Sequence, residues 1–399
     1  MRANKLGLLL GGLALVMFLG GSARADDSHH GTTIVHTKAE TSTYADSDAV
    51  AVVSPGVEAS IEDPLSGWSV TGTYMVDIVS AASVDIVSTA SPHWSEVRHA
   101  ATLSAKYKPH LFGGGVSAAI SREPDYLSLS AGGNVSLELD DKNVVPLLGY
   151  SYTHNTAGRK TTPFSVYSHV YSTHTINGAL ELVLDPSTLV TFVSDVILER
   201  GNQSKPYRYV PLFAQDVAPS VPLGATGDLV NQLRLPGKII ENLPLSRNRF
   251  ALTARLAQRL SASTFIVSER GYVDDWGQKA STTDMRFVVD VGKRFFLWPH
   301  LRLDVQSAVS FWKRAYIGQL GPGGLVNVPA LRTGDRELGP LLTTTFGGGF
   351  RWNIGPSLRP ADVGLVFLAE GAETNYRDAL FIKNRLSGFS ALELEATFQ

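Results

Sequence analysis

The sequence predicts an all-β protein, a transmembrane antiparallel β-barrel of about 14–16 strands with a disordered N-terminal leader. Three observations predict it. From Trp68 to Phe398 the dominant signal is period-2 alternation of apolar and polar residues. The alternating segments are close to the 9–11 residues that a tilted strand needs to cross a bilayer. No stretch beyond the first 25 residues is apolar for long enough to form a spanning helix, although 44% of the chain is hydrophobic.

The elements follow in chain order. Arg2 and Lys5, the apolar run Leu6 to Leu19 and the ending Ala23-Arg24-Ala25 describe a secretory signal over 1–25, with cleavage leaving Asp26. Residues 26–66 are polar and acidic, carrying Asp26, Asp27, Glu40, Asp46, Asp48, Glu58, Glu62 and Asp63, and read as a flexible periplasmic leader. The barrel is then expected over 67–399. Its clearest strand sets Leu127, Leu129, Ala131, Gly133, Val135 and Leu137 against Ser128, Ser130, Gly132, Asn134, Ser136 and Glu138. Similar segments are Val97 to Tyr107, Phe250 to Leu260, Leu301 to Phe311, Val363 to Ala369 and Leu392 to Phe398.

One side of these segments is fatty. The other carries Arg98, Arg249, Arg255, Arg259, Arg286, Asp290, Arg302, Asp304, Glu393 and Glu395. A soluble sandwich also alternates, so alternation alone leaves that reading open. The signal, the strand lengths, the absence of cysteine and aromatics near strand ends (Tyr150, Tyr152, Tyr167, Tyr171, Trp298, Trp312) favour a barrel in the bacterial outer membrane. The closing segment Leu392-Glu-Leu-Glu-Ala-Thr-Phe398-Gln399 resembles the C-terminal assembly signal of bacterial outer-membrane barrels, with the aromatic penultimate. Outer-membrane lipid and the barrel assembly machinery are the partners this implies. The stretches Pro211 to Pro244 and Gly318 to Pro340, rich in proline and glycine, read as long loops, outside the cell or folded into the lumen.

Composition excludes several classes. Without cysteine there are no disulfides, thiolate metal sites or thioether-linked haem. A net charge of -2 and no basic stripe with interleaved aromatics argue against nucleic acid. Gly113-Gly114-Gly115 and Gly347-Gly348-Gly349 open no helix and carry no following lysine, so they read as close approaches within strands and not as phosphate loops. His29, His30 and His36 beside Asp26 and Asp27 fit no standard metal spacing; a solvated acidic tail explains them. Asp274 and Asp275 are adjacent and would point to opposite faces of a strand, so a rim turn with an interfacial Trp276 is the plainer reading. No Ser/His/Asp spacing supports a hydrolase.

One feature is repeated. Residues 77–92 contain Asp77-Ile-Val-Ser-Ala-Ala-Ser-Val84 and then Asp85-Ile-Val-Ser-Thr-Ala-Ser-Pro92. Read as a strand, neither face is uniformly apolar, so the repeat is expected in a loop or short re-entrant piece between strands Trp68 to Val76 and Val97 to Tyr107. As a structural element it would be a small-residue loop packed in a narrow lumen, with Asp77 and Asp85 paired to lumen arginines. The phrase Asp77-Ile-Val-Ser80-Ala81-Ala82-Ser83 also resembles the D-x-x-[ST]-G-A-[ST] acceptor motif of bacterial FAD:protein FMN transferases. In that motif the last hydroxyl receives FMN through a phosphoester. The resemblance implies Ser83 and, in the second copy, Ser91 as acceptors, with Asp77 and Asp85 heading the two motifs. Ala81 and Thr89 stand where the motif has glycine, and Thr89 is the wider departure, which ranks Ser83 above Ser91.

Four further phrases extend the resemblance: Ser95-Glu96-Val97-Arg98-His99, Lys205-Pro206-Tyr207-Arg208-Tyr209-Val210, Tyr272-Val-Asp274-Asp275-Trp276-Gly277 and Arg385-Leu386-Ser387-Gly388-Phe389. In this order they resemble a domain-of-unknown-function family of outer-membrane β-barrels, often encoded beside FAD:protein FMN transferases. The resemblance implies a barrel carrying covalent FMN on the repeat, a periplasmic transferase as partner, and a role in envelope or extracellular electron transfer. The alternatives are a passive porin-like channel and a structural surface barrel whose loops bind a partner. If Trp68 to Val76 is the first upward strand, the repeat faces outward while the transferase works in the periplasm, and modification would then precede insertion; alternatively the barrel begins near Val97 and the repeat stays periplasmic.

Overall fold

Alternation builds sixteen long strands among the described residues, which in this computed structural model are 33–81, 94–237, 239–321, 326–354 and 361–398. They are β1 (Ile34–Asp46), β2 (Ala51–Asp63), β3 (Trp68–Ala81), β4 (Trp94–Tyr107), β5 (Phe112–Glu123), β6 (Tyr126–Leu137), β7 (Val144–Ala157) and β8 (His169–Asp185). The circuit continues with β9 (Thr188–Gly201), β10 (Ser246–Arg259), β11 (Ser263–Asp274), β12 (Lys279–Asp290), β13 (Phe295–Gln306), β14 (Leu341–Asn353), β15 (Ala361–Tyr376) and β16 (Asn384–Phe398). Each strand pairs antiparallel with its chain neighbours, and β1 pairs with β16, Val35 opposite Phe398, closing the barrel. Closure leaves no free sheet edge. No described helix is long and apolar enough to cross a membrane.

The two faces of the strands have opposite chemistry. Outward positions are apolar and exposed, including Val57, Leu103, Val116, Leu252, Phe346 and Leu394. Inward positions are polar and charged, and the ladder sets opposite charges side by side. Lys38 Nζ lies 2.6 Å from Glu393, Arg351 2.6 Å from Glu395, and Arg249 2.6 Å from Glu199. His300 lies between Asp284 at 2.8 Å and Glu370 at 2.6 Å.

Three expectations change. The leader expected over 26–66 supplies β1 and β2, so among the described residues the barrel begins at Ile34 and not near Trp68 or Val97. Glu40, Glu58 and Glu62 lie on the inward face of these strands, and His36 contacts Glu62 at 3.1 Å and the distant Thr397 at 3.0 Å. The first five residues of the repeat are not a loop, because β3 runs on to Ala81, with Asp77 opposite Arg98. Not every strand-end aromatic is interfacial. Tyr171 is buried, and Trp298 is partly buried, its ring so close to Gly349 that a Cβ there would come within 2.7 Å. Trp312 lies in a loop and donates to the Asp378 carbonyl at 3.0 Å.

The glycine run 347–349 is such a close approach. A Cβ on Gly347, Gly348 or Gly349 would sit 2.3–2.5 Å from a carbonyl oxygen of the adjoining strand. Connections at one end of the barrel are short, such as 64–67, 186–187 and 260–262; the long connections 202–245 and 307–340 share the other end. The signal reading on 1–25 and the residues Ser83, Asp85 and Ser91 lie outside the described residues.

Candidate functional site: the capped mouth

Prolines 219, 222, 236 and 244 interrupt the backbone donors that a long hairpin would need, so 202–245 folds on itself and on 307–340. Leu212–Phe213 pairs in parallel with Tyr316–Ile317, and Tyr209–Val210 pairs with Ile239–Ile240. A short helix, α1 (Gly227–Leu233), is N-capped by the Thr226 hydroxyl. Phe213, Val221 and Val230 form an apolar core with Ala218 and Ala225.

The two loops are anchored around the rim. Arg336 pairs with buried Asp48 in the β1–β2 turn. Glu337 accepts from the Tyr376 hydroxyl at 3.0 Å and from Arg385 at 3.1 Å, at the tops of β15 and β16. Trp276, in the β11–β12 turn, packs with Leu243, Val309 and Leu338 under the Arg247 guanidinium, 4.3 Å above its ring. That is a cap-core position and not the interfacial one expected; Asp274 is held by Arg247 at 2.5 Å and Asp275 accepts from Asn248 at 2.7 Å. His169 Nδ1 lies 2.7 Å from the Ser204 carbonyl, and the Lys160 N–H donates to Tyr207, at the β7–β8 side. Because the β1–β2 and β7–β8 turns stand six strands apart on a sixteen-strand ring, mutually packed loops fixed to both reach across the mouth.

The cap contains a buried polar knot. The fully buried Glu241 carboxylate accepts from the Thr333 hydroxyl at 2.5 Å and the Lys205 N–H at 3.0 Å, with Arg208 at 3.7 Å. Arg208 also meets Asp335 at 2.6 Å. Burial raises the Glu241 pKa above the ordinary carboxylate value against the pull of Arg208, and burial lowers that of Lys205.

At the root of the repeat, Asp77 and Arg98 form an ion pair inside the lumen wall, both buried. Two positions along, Glu96 also faces inward and is buried. β5 and the β5–β6 turn bring Glu123 and Asp125 to it, with one ligand-type oxygen from each residue within 4.8 Å of the others. Tyr207, from the cap, lies beside this group: its own burial and the charges of Asp125 and Glu96 push its phenol up to about 12. Of the residues that head or accept in the proposed motif, the structure thus positions Asp77 alone. Sequence reading missed Glu123 and Asp125, which show nothing but a lone Glu-Pro-Asp turn until the strands are paired.

The model of the protein family described as "Protein of unknown function (DUF3570)" matches residues 23–359. The chain belongs to that family. No curated protein matches this family member in sequence. Among solved structures, the siderophore receptor PirA from Acinetobacter baumannii is 9% identical, with TM-score 0.42 over 88% of this chain and 54% of that one. A ferric enterobactin receptor (PfeA) mutant from Pseudomonas aeruginosa is 11% identical, with TM-score 0.40 over 86% of this chain and 54% of that one. OccK11 (OpdR) from the same organism is 9% identical, with TM-score 0.41 over 94% of this chain and 99% of that one. The chain therefore spans about half the length of these siderophore receptors.

Proposed function

We propose that the protein is an outer-membrane β-barrel channel for small polar solutes, held closed at its loop-rich mouth by the 202–245 and 307–340 cap. The observation that carries this reading is the bridging of the rim by latches on Asp48, Glu337 and Trp276 above an inward face lined with charge. Barrels of this strand number are wide enough to leave an aqueous lumen. The outward apolar band, the even strand count and the signal-like first 25 residues support the outer membrane as its location, with lipid and the barrel assembly machinery as partners. In planar bilayers the wild type should conduct rarely, and Arg336→Ala, which frees the cap from the β1–β2 turn, should raise open probability several-fold. Equal conductance in the two would overturn the gate.

A second reading rests on the tandem acceptor-like motif: covalent FMN on Ser83 or Ser91, put there by a periplasmic FAD:protein FMN transferase, for electron transfer. In the folded barrel Asp77, which heads the first copy, is buried and paired in the β3–β4 ladder. On this reading Ser83 is modified on the unfolded, periplasmic chain, before insertion. For the second copy, Asp85 and Ser91 await the same test. Intact mass after co-production with the transferase, with Ser83→Ala and Ser91→Ala alongside, decides it. FMN-sized increments that vanish with one serine assign the acceptor, and an unmodified mass with an active transferase removes the reading.

A further inference from the structure

We propose that Glu96, Glu123 and Asp125 form a divalent-cation site of the hard, oxygen-preferring kind, best suited to Ca²⁺. Proximity comes first. One oxygen from each residue lies within 4.8 Å of the other two, and two ligands on opposite sides of one Ca²⁺ at 2.3–2.6 Å are about 4.6–5.2 Å apart. The second observation concerns Glu96 itself. Only 6% of the residue is exposed, and its Oε1 has no hydrogen-bond partner. A buried carboxylate oxygen with no donor is costly, and among like charges the cost is greater.

The surrounding cations relieve it only in part: Arg98 and Lys205 favour the charged form of Glu123, and neither donates to Glu96 Oε1. Arg98, next inward on β4, is committed to Asp77. Lys205 approaches from the cap but is itself partly buried, with Arg208 and Glu241 as its nearer charges. Tyr207 presents a phenol to Asp125, and a phenol carries no charge with which to balance three carboxylates. The donor set is carboxylate alone, without histidine or cysteine, which selects Ca²⁺ or Mg²⁺ over zinc or copper. The arrangement joins a β4 position to the end of β5 and the following turn, and up to six carboxylate oxygens are available, which favours the larger, more permissive ion. A bound cation would pin the wall from which the repeat emerges to the neighbouring hairpin.

The test uses the full-length barrel in detergent, stripped with chelator and titrated calorimetrically with Ca²⁺, Mg²⁺ and Zn²⁺ in turn. Ca²⁺ should bind at one site, and Glu96→Gln and Asp125→Asn should each weaken it at least about tenfold. Glu58→Gln, a lumen acid elsewhere on the wall, should leave binding unchanged. Thermal melting guards against misfolding: Ca²⁺ should raise the wild-type midpoint, whereas Glu96→Gln should melt at one temperature with or without Ca²⁺. Absence of Ca²⁺ binding in the wild type, or unaltered affinity in both variants, overturns the site and leaves the cluster as carboxylates sharing protons.

Discussion

Asp77 and Arg98 face each other across β3 and β4 with side chains only 7% and 10% exposed. Removing one partner of a buried pair leaves the other uncompensated and costs about 3–5 kcal/mol. Asp77→Ala should therefore lower the urea midpoint of the refolded barrel strongly, while the double variant Asp77→Ala with Arg98→Met should recover much of the loss. If the single and double variants were equally unstable, the pair would not be the reason Asp77 tolerates its place in the wall. Glu241 gives a prediction of a different kind. Its unperturbed pKa is 4.5 and burial raises it in the folded cap, which therefore holds the proton more tightly than the unfolded chain. The stability it contributes is present below 4.5 and lost as pH rises through the raised value. The cap's resistance to unfolding, followed by Trp276 and Trp312 fluorescence, should fall over that window in the wild type, and Glu241→Gln should flatten this part of the pH dependence. An unchanged slope in the variant would point to other groups.

The cap is an element whose parts were legible and whose assembly was not. Prolines and glycines over 211–244 marked a departure from alternation, but the pairing of Leu212–Phe213 with Tyr316–Ile317 joins positions about a hundred residues apart, and no local pattern encodes it. The same limit explains β1 and β2. His36, Lys38 and Glu40 resemble a solvated tail until β16 supplies Thr397 and Glu393 as neighbours. Asp77 spoiled the apparent amphipathicity of the first repeat copy for want of Arg98. Strands whose outward residues are large and fatty, such as those around Leu129 and Leu303, were readable because an apolar outward face alternates locally along the chain. The four phrases beyond the repeat prove to share one end of the barrel: Glu96 and Arg98, Lys205 to Val210, Asp274 to Trp276, and Arg385 all belong to the capped mouth. That convergence makes Trp276 a second latch to test. Trp276→Ala removes the ring that Leu243, Val309 and Leu338 enclose, and a buried aromatic-to-alanine change costs about 3–5 kcal/mol. Protease should then cut within 307–340 much faster than in the wild type, with the strands left intact; equal cutting would show that the cap does not depend on that anchor.

A closed barrel with a charged interior can be placed in lipid or in water, and the two placements differ in what the outer face tolerates. Thr102 and Leu103 are neighbours near the middle of β4, both exposed, pointing to opposite faces. Leu103, 61% exposed, belongs to the apolar band with Leu301 and Phe346; Thr102 lines the lumen with Lys106. In lipid, Leu103→Arg carries a guanidinium into hydrocarbon near mid-depth and should cost about 2–4 kcal/mol, whereas Thr102→Arg enters a wet, polar lumen at nearly the same depth and should cost little. In water both side chains would be solvated, and the two substitutions would be nearly equivalent. Folding into lipid vesicles, followed by urea titration of the two variants beside the wild type, measures the difference. A large penalty confined to Leu103 means that the apolar band faces hydrocarbon and that the cap closes a pore across a bilayer. Equal midpoints would mean that the exposed band meets something other than lipid, and the channel reading would fall with it.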